Sequence, residues 1–294
     1  MRGVQVVEQT AKSMINAVSG MPFKWSINPY RGCYHGCRFC YARRTHTYLE
    51  SDGTGEWGSK IYVKINAPAV VRAEVSKRSW KHEAVSIGTA TDPYQPLEGT
   101  YRITRGILEA LRDYDTPARI ITRSPLIVRD IDVLQSLARV AGVNVSVSIA
   151  TMDPGLAREI EPTVAPPQQR MRTVALLARA GIDVSVALAP VLPGITDASS
   201  QLEAVLRAAY EAGASHVWHN TLNLHDVTRT EFFNYLREQR PELIARYAGL
   251  YRGKYAPKAI SDEIDARVRV ARSNAPASDR NRIQPPRTRQ LTLI

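Results

Sequence analysis

Between residues 84 and 221, short apolar runs alternate with amphipathic helical patterns, and this rhythm leaves few possible folds. Runs rich in Val, Ile and Ala lie at 84–88, 118–122, 143–149, 182–188 and 215–221. Between them apolar residues recur at helical spacing, as Ile107, Leu108 and Leu111 do. Near-continuous apolar strands separated by helices imply parallel strands buried on both faces. With a short strand at 25–30 the count is about six βα units, short of the eight that close a barrel. The expected fold class is therefore α/β: an open, partial (β/α)6 barrel of TIM type.

Four regions follow from this reading. Residues 1–25 form an N-terminal cap, in which Val6, Val7, Ala11, Met14 and Ile15 predict a helix. Residues 26–228 form the barrel, and 61–65 add a further short strand. Residues 229–272 form a C-terminal helical extension rich in Phe, Tyr and Arg. Residues 273–294 read as a disordered basic tail, because Ser, Asn, Pro and Arg cannot bury enough apolar area to fold alone.

The unusual residues fall on one side of this scheme. Glycines, prolines and polar clusters follow strands, in the cysteine loop and in TDPYQP, TRSP, TMDP, APVLPG and NLH. Parallel barrels build their active sites at the carboxyl ends of the strands, so the chain has one functional face.

All three cysteines, Cys33, Cys37 and Cys40, lie in one loop with glycines at 32 and 36. Three thiolates converging from a glycine-bearing loop suit an iron–sulfur cluster or zinc. A zinc site would need His35 or His46 as a fourth ligand, and zinc sites usually pair their cysteines as two separated knuckles. Unpaired cysteines, an N-terminus without an apolar signal segment and no apolar run of bilayer length point to the cytoplasm and away from membranes. The net charge of +11 points to a polyanionic partner.

Four segments together resemble the spore photoproduct lyase-like branch of the radical S-adenosylmethionine (SAM) superfamily. They are SINPYRGCYHGCRFCYAR at 26–43, GTATDPYQPLE at 88–98, REIEP at 158–162 and APVLPGITD at 189–197. The resemblance covers residues 20 to 255. It implies that Cys33, Cys37 and Cys40 hold a [4Fe–4S] cluster whose fourth iron chelates SAM. It further implies that Phe39 and Tyr41 adjoin the adenine end of SAM, and that Thr91 and Asp92 engage its amino group. Ser148 corresponds to a ribose contact, Arg158 to a partner of the SAM carboxylate, and Val191 and Leu192 to residues flanking adenine. The implied chemistry is reductive cleavage of SAM to a 5′-deoxyadenosyl radical, with electrons from a donor such as flavodoxin or ferredoxin.

Where the lyase itself carries an additional cysteine as hydrogen donor, this chain has Thr89. Tyr94 and Tyr101 are the candidate substitutes, and Arg123, His219, Asn223 and His225 the candidate substrate contacts. The reading is an enzyme acting on DNA or a nucleotide, in repair or modification. The alternatives are a radical SAM tailoring enzyme for a small molecule such as a nucleoside natural product and a zinc-bearing nucleic-acid-binding module without catalysis. Finally, Gln290, Leu291, Leu293 and Ile294 resemble the short peptide by which bacterial repair enzymes dock on the sliding clamp, with Ile294 in place of phenylalanine.

Overall fold

The computed structural model describes residues 3–49 and 57–276. The chain opens with β1 (Gln5–Gln9) and β2 (Asn16–Ala17) and enters the main sheet at β3 (Trp25–Ile27). It continues through β4 (Tyr30–Arg31), the cysteine loop, a 3-10 helix (Tyr41–Leu49), β5 (Lys60–Lys64) and α1 (Ala67–Val75). The next units are β6 (Val85–Ile87), α2 (Glu98–Tyr101), α3 (Ile103–Asp113), β7 (Ala118–Thr122) and α4 (Ile131–Val140). Then come β8 (Val143–Ser148), α5 (Pro154–Ile160), α6 (Pro167–Arg179), β9 (Asp183–Val191), α7 (Ser199–Glu211) and β10 (His216–Thr221). Three helices close the described chain: α8 (Asp226–Gln239), α9 (Ile244–Leu250) and α10 (Lys258–Asn274).

The main sheet has the order β10-β9-β8-β7-β6-β3-β2. β3 pairs in parallel with β6, the chain between them running through the other sheet, and β6 to β10 pair in parallel in chain order; β2 adds an antiparallel strand at one end. Among the described residues β10 makes no ladder with β3, so the barrel is open there. This is the six-unit partial barrel that the strand–helix rhythm predicts. Helices cover it with the apolar stripes that their spacing dictates: Ile103, Ile107 and Leu111 of α3, and Leu202, Val205 and Leu206 of α7, are all buried.

The cap departs from expectation. Its residues form no helix; β1 instead pairs in parallel with β5, and β5 with β4, in a separate three-stranded sheet. Two forces favour the strand. Consecutive β-branched valines resist helix, and the fully buried Ile61 and Val63 of β5 lie in register with Val6 and Glu8. The apolar residues that mimic helical spacing, Met14 and Ile15, sit on extended chain held by their amides to the Glu74 carboxylate at 2.9–3.1 Å.

Four aromatic side chains of the C-terminal extension belong to the core. Phe232, Tyr235, Tyr247 and Tyr251 are all at most 1% exposed and pack with Cys37, Phe39, Leu192 and Leu222 behind the cysteine loop. α10 runs two residues past the expected boundary at 272. Its Ile264, Val268 and Ala271 are buried, and Arg272 donates to the Val217 carbonyl at 2.8 Å. No helix among the described residues is long and apolar enough to cross a membrane. Gln290, Leu291, Leu293 and Ile294 lie outside the described residues.

Candidate active site at the strand ends

A cavity of about 150 Å³ opens at the carboxyl ends of the parallel strands. The cysteine loop after β4 supplies one wall, with Cys33, Cys37 and Cys40 all facing the cavity. Residues 88–92 after β6 supply the next, then Arg123 after β7 and Ser148 at the end of β8. Ala189 and Pro190 come from β9; Trp218, Asn220, Leu222 and Asn223 come from β10 and the turn beyond it. Every barrel strand beyond β3 thus delivers side chains to a single site.

The cysteine loop is held from three sides. Gly32 and Gly36 turn it with φ of 80° and 61°, angles that favour glycine. From the β6 side, Thr91 Oγ1 donates to the Gly32 carbonyl at 2.6 Å, and the Tyr34 amide donates to Gln95 Oε1 at 3.0 Å. From the α5 side, the Arg38 amide donates to the Ile160 carbonyl and Thr163 Oγ1 to the Tyr34 carbonyl. From α8, Thr228 Oγ1 donates to the Cys40 carbonyl at 3.0 Å. Gly88, with φ of 92°, starts the β6 loop where a Cβ would meet the Ile121 carbonyl at 2.4 Å, so only glycine fits.

Asp92 organises the β6–β7 corner. One of its carboxylate oxygens accepts from the Tyr94 amide and Thr122 Oγ1, and the other from the Arg123 amide at 2.7 Å. His35 Nε2 lies 3.3 Å from Asp92 Oδ2 without hydrogen-bond alignment, and both of its ring nitrogens are buried without a hydrogen-bond partner. Burial pushes the His35 imidazole down, with Asp92 opposing.

Beneath the cysteines runs a buried charged triad. Glu161 Oε1 accepts from Arg123 Nε at 2.8 Å and Oε2 from Arg170 Nη2 at 2.6 Å. Arg170 is fully buried and also donates to the Ser148 carbonyl; Arg123 donates to the Ala189 carbonyl and lies 5.6 Å over the Phe39 ring. Burial pushes the Glu161 carboxyl up, but Arg170 and Arg123 outweigh it and hold the group below the ordinary carboxylate range.

The thiols fit a metal–sulfur group better than inert core cysteines. Burial pushes all three up, Cys37 to about 12, and Arg123 opposes the rise at Cys37 and Cys40. Buried thiolates therefore persist only with a cation among them. Sulfurs sharing one zinc would sit about 3.8 Å apart, from Zn–S bonds of about 2.3 Å at the tetrahedral angle. Among the described residues no three His, Cys, Asp or Glu side chains are grouped closely enough to hold one ion. The cysteines instead line the wall of a cavity, the arrangement wanted by a cluster whose irons each take a different sulfur. The His46 side chain lies outside the described residues.

Of the residues expected to contact SAM, Phe39, Tyr41, Thr91, Asp92 and Ser148 line the cavity, and the Tyr41 hydroxyl donates to the Thr89 carbonyl. Three of the expected residues do not line it. Arg158 is exposed on α5, because Leu156, Ala157 and Ile160 take the inward face of that helix. The guanidinium that reaches the cavity is Arg123. Val191 and Leu192 are fully buried behind the wall, where Leu192 packs with Cys37 and Phe39, and the exposed lining of β9 is Ala189 and Pro190.

Of the expected substrate contacts, only Arg123 and Asn223 line the cavity. Tyr94 is fully buried in the main core, and Tyr101 turns away to donate to Glu8 Oε1 at 2.8 Å. His219 faces α10, with Nε2 2.8 Å from Asp265 Oδ1, because Trp218 and Asn220 on either side of it take the inward face. His225 precedes α8 outside the cavity; burial, Lys254 and Arg44 push its imidazole down. Gln95, Glu161, Arg170, Trp218 and Asn220 were not foreseen. Strict alternation along β10 would have singled out Trp218 and Asn220, whereas Glu161 and Arg170 carried no local signal.

Comparison with known proteins agrees with this geometry. Residues 27–202 match the family model of the radical SAM superfamily. An uncharacterized protein of Mycobacterium tuberculosis is 38% identical over 290 residues, covering 97% of this chain and 85% of that one. A radical SAM Nalpha-GlyT isomerase of Pseudomonas phage M6 is 30% identical over 168 residues, covering 57% of this chain and 33% of its own. Among solved structures, spore photoproduct lyase with bound AdoMet and a dinucleoside spore photoproduct superposes with a TM-score of 0.66. At 15% identity that match covers 92% of this chain and 79% of the lyase chain.

Proposed function

The chain belongs to the radical SAM superfamily, and from that membership we propose that it acts on a base of a nucleic acid, as a repair or modification enzyme. The family's cofactors are a [4Fe–4S] cluster and SAM, which when bound supply reductive cleavage of SAM and a 5′-deoxyadenosyl radical that abstracts a hydrogen atom from the substrate. Cys33, Cys37 and Cys40 are the residues that would hold the cluster. Arg123 is the cation we assign to the SAM carboxylate, because it lines the cavity with Glu161 and the Ala189 carbonyl holding its guanidinium. Asp92 is already committed to the backbone of its own corner, so its role is to shape the SAM pocket and to receive a donor beside Thr91.

The observation that carries the nucleic-acid reading is the rim of the cavity. Asn223, in the cavity wall, bridges in antiparallel fashion to Tyr255, and the Leu224 amide donates to the Lys254 carbonyl at 2.8 Å. This pins Tyr255 next to a residue of the cavity wall with 63% of its surface exposed, and Lys254 Nζ lies 4.4 Å over its ring. Exposed Arg44 stands close enough to act on His225 together with Lys254. An exposed aromatic face among cations is what a single strand needs for stacking and phosphate contact. The open side of the barrel admits a polymer, and a base inside a duplex would have to be extruded to reach the cavity. The net charge of +11 agrees, and so does the dinucleoside photoproduct named for the lyase.

Two measurements test this reading. Anaerobically reconstituted protein with dithionite and SAM should release 5′-deoxyadenosine, and Cys37→Ala should lose both cluster absorbance and product. Fluorescence anisotropy should show binding to single-stranded DNA that weakens steeply as salt rises from about 50 to 200 mM. Absence of binding at the lower salt would overturn the nucleic-acid assignment and leave the cofactor chemistry intact.

A further inference from the structure

The last strand of the barrel and the turn after it carry three side chains whose arrangement goes beyond binding a strand. Trp218 faces the cavity, and its indole Nε1 donates to Ser146 Oγ of β8 at 2.8 Å, which fixes the ring plane. Two residues on, the β10–β9 register shifts between His219 and Thr221. The irregularity falls at Asn220, which lines the cavity and is exposed. Bulges beside active sites re-aim a side chain in this way. Asn223 lines the same wall and is held by the bridge to Tyr255. Neither carboxamide has a hydrogen-bond partner among the described residues.

We infer that Trp218, Asn220 and Asn223 form the subsite that reads the substrate's nucleobase: the indole is its stacking face, and the two carboxamides pair with the base edge. This rests on the nucleic-acid reading and makes it specific. A carboxamide offers a donor and an acceptor side by side, the pattern that matches adjacent groups on a base edge bidentately. An indole whose N–H is already bonded presents only its face, which is indifferent to base identity. Tryptophan therefore supplies affinity and the asparagines supply choice. The subsite belongs to the substrate and not to the adenine of SAM because β10 bounds the open side of the barrel, where a polymer enters.

The test uses cluster-reconstituted protein and single-stranded dT, dC and dA oligonucleotides of about 15 nucleotides, with SAM titrated separately. Wild type should favour one base by roughly five- to a hundred-fold, the range of a bidentate contact. Asn220→Ala and Asn223→Ala should each compress that preference toward one, with the salt slope of binding unchanged because no phosphate contact is removed. Trp218→Ala should weaken all three strands alike, and Trp218→Phe should recover most of the loss. SAM affinity should stay at the wild-type value in all four variants.

Wild-type binding without base preference, or a preference that survives both asparagine substitutions, overturns the subsite and leaves the nucleic-acid reading standing. Lowered SAM affinity with base preference intact assigns the asparagines to the cofactor and overturns it as well. Failure of wild type to bind any of the strands removes the nucleic-acid reading, and the subsite with it.

Discussion

Glu161→Gln should destabilise the protein far more than its single-atom change suggests. The carboxylate is 1% exposed and is the only acceptor described for Arg123 Nε and for Arg170 Nη2. Glutamine keeps one carbonyl oxygen but turns an NH2 group toward a guanidinium that can only donate. Removing one partner of a buried ion pair typically costs about 3–5 kcal/mol, because the remaining charge stays desolvated. At about 2–4 °C per kcal/mol for a domain of 150–250 residues, the melting temperature should fall by roughly 6–20 °C.

The control is Glu159→Gln, two residues earlier, which pairs with Arg240 at 2.7 Å where the partners are 21% and 36% exposed. A pair at that exposure is worth about 0–1 kcal/mol, so this variant should melt within a few degrees of wild type. The pH dependence separates the ionic contribution from simple packing damage. Because the Glu161 carboxyl is held below its ordinary value, its stabilisation is complete above the unfolded pKa of about 4.3. It is lost as pH falls through the folded value. The gap between wild type and Glu161→Gln should be full at pH 7 and narrow below about pH 5. A urea titration giving the same midpoint for both proteins at pH 7, or a gap that does not change on acidification, would refute the argument.

Three further outcomes are expected. Arg123→Ala should weaken SAM binding by about 1.5–3 kcal/mol, roughly ten- to a hundred-fold, whereas Arg158→Ala should titrate as wild type in isothermal calorimetry; equal losses in both would misplace the carboxylate site. Tyr94→Phe should leave 5′-deoxyadenosine formation within about two-fold of wild type, since Tyr94 sits in the main core, and a loss nearer the 10²–10⁴-fold of general acid–base groups would reinstate it as catalytic. Phe232→Ala should cost about 3–5 kcal/mol in a denaturant titration and lower the iron retained after gel filtration, because Phe232 belongs to the apolar cluster that backs Cys37.

What the sequence disclosed was whatever is encoded locally. The cysteine loop could be read because its spacing and glycines are contiguous, and the strands because they are apolar on both faces. The site's location followed from the loops that come after them. Choices of side within an element were harder. On α5 the segment REIEP offers an arginine and two glutamates, and only the packing of Leu156 and Ile160 decides that Arg158 faces water and Glu161 faces the site. On β10 histidine is the more reactive residue, but the inward register belongs to Trp218 and Asn220. The Glu161–Arg170 pair links the end of α5 to the interior of α6, a contact no spacing rule anticipates. The aromatic residues of α8 and α9 carry no local sign of what they pack against, and they fill the space behind the cysteines.

Neighbouring strands of the main sheet from β6 to β10 are also consecutive strands of the chain, and this has a consequence in time. A chain leaving the ribosome can add each strand to the one before it, with little waiting for distant segments. The cysteine loop is the exception. It emerges near the start, but its backing of Phe232, Tyr247 and Tyr251 and the Thr228 tether to Cys40 are made almost two hundred residues later. At about 5–20 residues per second, the thiols would wait roughly 10–40 s for that backing. Retention of iron and sulfide is therefore expected only late in synthesis, and truncation within α8 should yield a sheet that assembles but does not retain the metal.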